Sequence, residues 1–173
     1  QQQDSVSVAP LRSNGQLYSD PRSKAKILQE QFCSVFTQDK DSPDRNRKPN
    51  SPELPCIGPL DIRLEGVRKL LLEINPSKAA GPDEVAGRLL KELAVELAPF
   101  VTCLFNKSIT SSDIPSEWKS QWVSPVYKKG AKSEAANYRP VSLTCILSKL
   151  MEHVLCTHIR AHLDNHSVLS CFQ

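Results

Sequence analysis

The stretch WVSPVYKKGAKSEAANYRPVSLT, Trp122 to Thr144, decides how the chain is read. Its two ends, Trp122 to Tyr127 and Tyr138 to Thr144, are rich in β-branched and aromatic residues, which suit a pleated surface. Between them Lys128 to Asn137 is polar or small, with Gly130 and Asn137 placed to take left-handed backbone. The pattern predicts a β-hairpin with a wide tip. Pro125 and Pro140 remove ladder donors, so the strands are expected at an edge or with bulges, and an exposed edge suits a finger that reaches over something. Lys128 and Lys129 leave the first strand and Arg139 enters the second, so antiparallel pairing would gather three cations. A guanidinium fork beside ammonium groups suits a phosphate chain. A solvated basic hairpin has the same composition, so the residues alone leave both uses open.

Downstream of the hairpin, Ile146, Leu147, Leu150, Met151, Val154, Leu155 and Ile159 cover a broad arc at helical spacing. Such a width predicts a helix from Cys145 to about Leu163, buried between layers. His158 and His162 are four apart, as in a zinc pair, but no acidic residue sits where a metalloprotease motif needs one. They read as core or helix-end histidines, and no metal site is assigned.

Upstream, Ser13-Asn14-Gly15 between short apolar segments predicts a small hairpin. Asp20-Pro21 then supplies an N-cap and a first-turn proline. Leu28, Phe32, Val35 and Phe36 share one arc of a helix ending near Thr37. Lys40 to Pro55 holds four prolines and the basic run Arg45-Asn46-Arg47-Lys48, and reads as a linker that buries too little apolar surface to order itself. Val67, Leu70, Leu71 and Ile74 make a helical stripe that Asn75-Pro76 ends. Ser77 to Asp83 is a connecting loop. Two short helices follow, one carrying Leu89, Leu93 and Leu97, the other Val101, Leu104 and Phe105, with Pro99 expected to separate them.

The whole is therefore expected to be α+β, mostly helical with one basic hairpin. A length of 173 residues can bury one ordinary core or part of a larger one. Net charge is only +3, from 22 basic and 19 acidic residues, so any case for nucleic acid must rest on local clusters. Six cysteines lie far apart without a C-x-x-C pair, which reads as free thiols and not as a disulfide or zinc framework. No apolar run is long enough for a membrane span and the N-terminus lacks a signal-peptide pattern, so an intracellular setting, nucleus or cytoplasm, is the default expectation, with no membrane partner. Hydrolase and nucleotide-switch motifs are missing.

Asn137-Tyr-Arg-Pro-Val-Ser-Leu-Thr144, preceded by Val123-Ser-Pro-Val-Tyr-Lys-Lys-Gly130, resembles the fingers hairpin of reverse transcriptases from non-LTR retrotransposons, the long interspersed elements of jockey-like or chicken-repeat-like type. Ser77-Lys-Ala-Ala-Gly-Pro-Asp83, Ile114-Pro-Ser-Glu-Trp-Lys119 and Leu150-Met-Glu-His153 match as well, in the same order. The resemblance runs from about Val8 to Gln173. It implies an N-terminal extension and Pro-rich linker over residues 1–58, and the fingers of a right-hand polymerase over residues 59–173. Arg139 is then the arginine that contacts the incoming deoxynucleoside triphosphate, with Lys128 or Lys129 beside it. Lys78, Gly81 and Pro82 lie against the template strand. The family's more usual form has a glycine after the aspartate of this loop, whereas here Glu84 follows Asp83.

In the family two magnesium ions on palm aspartates drive template-directed synthesis. No matching aspartate motif occurs before Gln173, so the chain is expected to be a fragment with no catalytic residues and no cofactor of its own. Its partners would be an RNA template, a DNA primer, the nucleotide, and the remaining palm and thumb. A stand-alone nucleic-acid-binding module and a non-catalytic interaction protein are the alternatives. A helical set lacking the sheet it normally covers should also leave apolar faces exposed, and hence be poorly soluble.

Overall fold

The structure is a computed structural model that describes residues 8–36 and 55–168. The proline-rich linker and the basic run Arg45–Lys48 lie outside the described residues. The described fold is α+β, as the patterns predict. Its elements are β1 (Leu11–Ser13), β2 (Gln16–Tyr18), α1 (Pro21–Ser34), α2 (Leu64–Leu72), α3 (Gly87–Glu92), α4 (Ala94–Ser111), β3 (Trp122–Tyr127), β4 (Tyr138–Leu143) and α5 (Ile146–Asn165). Two 3₁₀ turns, Ser116–Lys119 and Ala135–Asn137, precede β3 and β4 in turn. The sheets are two separate two-stranded hairpins, β1–β2 and β3–β4. Every described strand is thus an edge, which is where Pro125 and Pro140 are tolerated.

The described residues pack into two units, residues 8–36 with 123–142, and residues 55–122 with 143–168. In the first, Ser13 pairs with Gln16 across a tight turn in which Asn14 and Gly15 take φ of 50° and 80°. Both left-handed positions are those a two-residue hairpin turn needs. Pro21 opens α1, where the Ser23 amide donates to Asp20 Oδ1 at 2.8 Å and satisfies an orphan helix donor. Leu28 and Phe32 of α1 are buried with Leu11, Ala135 and Tyr138. Val35 and Phe36, expected on the same arc, are exposed because α1 ends at Ser34.

This small core changes the picture of the second hairpin. The sequence pattern predicts a tip that reaches out freely. Instead the tip is anchored and the stem is bare. Ala135 and Tyr138 are buried against α1 and β1, and the Arg12 amide donates to Ser133 O at 2.7 Å, whereas Trp122, Val123, Val126, Tyr127 and Val141 remain exposed.

The second unit is helical. Val67, Leu71 and Ile74 at the α2 side meet Leu90, Ala94, Ala98, Val101 and Phe105 of α3 and α4, with Ile146 and Met151 of α5. Phe105 is fully buried and meets Trp118 edge to face, with ring centroids 5.9 Å apart. The Asn106 side chain clips the chain ahead of α2, accepting from the Ile62 amide at 3.1 Å and donating to its carbonyl at 2.9 Å.

Two expectations fail here. The helix break falls at Leu93 and not at Pro99, which lies inside α4. Pro99 forfeits one backbone bond, but Ala98, Val101 and Phe105 on the same continuous helix are buried, and that burial outweighs the loss. Likewise α5 is not covered along its length: its buried residues are Ile146, Ser148 and Met151, and Ile159 is exposed. The broad apolar arc has only its first turns covered by the described residues. Phe100, Val95 and Leu89 on α3 and α4 are also exposed, at 74%, 60% and 50%, in line with the expectation of bare apolar faces. No described helix is long and apolar enough to cross a membrane.

Candidate nucleotide and nucleic-acid contacts

Strand alternation sets the aim of Arg139. Tyr138 is buried toward α1, so Arg139, next along β4, is exposed on the opposite side. Pro140 follows it without a donor, which leaves this stretch unable to recruit a third strand by its own N–H. Lys128 and Lys129 are exposed just beyond the end of β3. The Lys128 amide donates to Asn137 O at 2.8 Å, so the lysine lies beside Asn137 and Arg139 lies two residues further along β4. One strand period is about 7 Å, within the span of a triphosphate gripped by long side chains. None of the three cations makes an ion pair among the described residues.

The turn that presents them is built from polar contacts. Gly130 has φ of 95°, as expected, and a Cβ there would come within 2.6 Å of Asn137 Nδ2. Asn137 does not share the left-handed backbone expected of it; it acts through its side chain, donating to Ala131 O at 2.9 Å. Tyr127 donates to Gly130 O and Tyr138 to Lys132 O at 2.8 Å, and the two rings meet edge to face. Lys132 Nζ lies 5.6 Å from the centre of the Tyr127 ring, a cation–π contact that a residue-by-residue reading has no means of finding.

Lys78, Gly81 and Pro82 belong to the other unit. Lys78 is exposed, Pro82 half-buried and Gly81 buried. The close approach at Gly81 is internal: a Cβ would sit 2.5 Å from the Cys145 nitrogen and 2.6 Å from the Thr144 carbonyl carbon. Only glycine lets this loop rest on the entry to α5. Glu84, where the resembling family has glycine, takes φ of 56°, so the loop keeps a left-handed turn that costs a side-chain-bearing residue about 1 kcal/mol. The Cys145 thiol lies 3.5 Å from Glu117 O and is fully buried; desolvation pushes its pKa up, the Asp83 backbone opposes this and the Asp83 carboxylate adds to it. Three stretches that carry the resemblance therefore meet at one buried sulfur: the Ser77–Asp83 loop, the Ile114–Lys119 segment and the end of the hairpin sequence.

Lys78 also lines a shallow groove of about 270 Å³ with Glu73, Asn75, Lys149 and His153. Sequence reasoning misses Lys149 and His153 as a pair, although their spacing of four on α5 puts them on one face.

No protein-family model matches the chain. It is 27% identical over 113 residues, 65% of its length, to the RNA-directed DNA polymerase from mobile element jockey of Drosophila melanogaster. It is 30% identical over 94 residues to a probable RNA-directed DNA polymerase from transposon X-element of the same organism, and 23% over 99 residues to a Pol polyprotein from type-1 retrotransposable element R1 of Bradysia coprophila. The chain is homologous to a segment of non-LTR reverse transcriptases. It spans about a tenth of the length of these relatives, 12%, 10% and 10% in turn. Among the described residues no group of three or more His, Cys, Asp or Glu is arranged to hold a metal ion.

Proposed function

We propose that the chain supplies nucleotide and template contacts as part of the fingers of an RNA-directed DNA polymerase, the catalytic carboxylates belonging elsewhere in such an enzyme. The observation that carries this reading is the display of Arg139: Tyr138 fixes one side of β4 in a small core and turns the guanidinium outward with no ion-pair partner among the described residues. Arg139 grips the triphosphate oxygens of the incoming nucleotide, with Lys128 or Lys129 adding charge. Lys78 contacts a template phosphate, with Gly81 and Pro82 shaping the loop that holds it.

The test replaces the corresponding segment of a non-LTR polymerase with this chain and follows primer extension. Arg139→Ala raises the apparent nucleotide constant by an amount worth roughly 1.5–3 kcal/mol, the loss of a charge-assisted contact. Arg139→Lys recovers part of it. Equal nucleotide constants for the parent chimaera and its Arg139→Ala variant would remove the triphosphate assignment.

A further inference from the structure

The groove at Lys78 does not end there. A larger one of about 680 Å³ runs between α2 and α5 and shares Leu70, Glu73 and His153 with it, so the two form one trough within the helical unit. Its floor is apolar, from Val67, Leu70, Ile74, Leu150 and Val154. Its rim is basic at one end, with Lys78 and Lys149, while at the other Arg63 and Lys69 are matched by carboxylates. His153 stands where the grooves join and His158 farther along. Of the two rim carboxylates, Glu73 is within 3.9 Å of Lys69, which offsets its charge, and Asp61 lies at the far end. Lys78 and Lys149 have no ion-pair partner among the described residues.

We infer that this trough takes a single strand of nucleic acid, two to three nucleotides long, with phosphates on Lys78 and Lys149 and bases laid on the apolar floor beside His153. This rests on the template reading of Lys78 and extends it to a face of α5. An apolar floor with a cationic rim is the arrangement that holds single strands without reading sequence, since every base has an apolar face and every link a charge. The nine residues of α2, Leu64–Leu72, set the length: about 14 Å of helix, matching two to three extended nucleotides. An amphipathic protein helix also suits an apolar floor, but the unpaired lysines favour an anionic chain.

The test titrates the full chain with fluorescent twelve-nucleotide oligo-uridine and oligo-thymidine across a salt series. Lys149→Ala is expected to weaken both about tenfold near physiological salt and to reduce the salt slope by about 0.7, one phosphate contact on a single strand, while Lys149→Arg binds as the parent chain does. Because Lys149 is exposed, its replacement leaves the fold intact, checked by circular dichroism. Lys107→Ala, at an exposed lysine of α4 outside the trough, should leave strand binding unchanged in the same titration, which separates the trough from general surface charge. Unaltered affinity and slope in both Lys149→Ala and Lys78→Ala would overturn the trough. Loss with Lys78→Ala alone would also overturn it, while leaving the template contact of Lys78 in place.

Discussion

The two units stabilise their candidate contacts by different means. In the helical unit a core of eleven buried residues includes Phe105, and Lys78 stands on a loop whose glycine is packed on backbone. In the hairpin unit five buried residues, Leu11, Leu28, Phe32, Ala135 and Tyr138, hold the tip, and the turn is completed by hydrogen bonds from Tyr127, Asn137 and Tyr138. Apolar burial scales with area, so the first unit should resist opening far better than the second. A binding element that must adjust around a nucleotide is better placed on the weaker unit.

Phe105→Ala against Leu28→Ala puts that contrast to its hardest test. The first should cost about 3–5 kcal/mol and the second about 2–3 kcal/mol, each the usual worth of emptying a packed site. Hydrogen exchange followed by mass spectrometry should show Phe105→Ala releasing protection in α2, α4 and α5, and Leu28→Ala releasing it in α1 and residues 131–139. If both variants loosen the same segments equally, the units are one cooperative body and the contrast is void. A smaller effect sharpens it. Glu84→Gly should stabilise the helical unit by about 1 kcal/mol, because glycine adopts the observed φ of 56° without strain. Thermal melts read this directly, and an unchanged midpoint would show that the loop relaxes in solution.

The smallest expected effect concerns pH. The backbone hydrogen bond from Ser23, then its side chain, holds the Asp20 pKa below its ordinary 3.8. A carboxylate with a lowered folded-state pKa contributes stability above its unfolded value and loses it as pH falls through the folded one. Fraying of the first turn of α1 should therefore begin only below about pH 4, and Asp20→Asn should flatten that dependence. Amide exchange at Ser23 and Lys24 between about pH 3 and 6 measures it.

Much of this architecture is local and hence legible in the residues. Asn14-Gly15 announces its turn, Asp20-Pro21 its helix start, and Val67, Leu71 and Ile74 the buried stripe of α2. Arg139 and the two lysines stand out by charge at strand ends. The anchoring of the hairpin tip does not, because Leu11 and Tyr138 meet across most of the chain and no periodicity records a partner so distant. Pro99 misleads for a related reason: a proline's local cost is visible in sequence, but the burial of Ala98, Val101 and Phe105 that overrides it depends on α2 and α5. The trough is hidden in the same way, since Lys78 and Lys149 share it only once the loop after α2 lies beside α5.

The bond from the Arg12 amide to Ser133 O has a consequence for the order of events during synthesis. About 120 residues must leave the ribosome after β1 before its partner exists, a wait of roughly 6–24 s at ordinary elongation rates. Through that interval Leu11, Leu28 and Phe32 lack the Ala135 and Tyr138 that complete their cluster, and the nascent chain carries a sticky segment that only the second hairpin can close. Chaperone demand should accordingly be greatest before the second hairpin emerges, and a chain released short of Tyr138 should be the form most prone to clump.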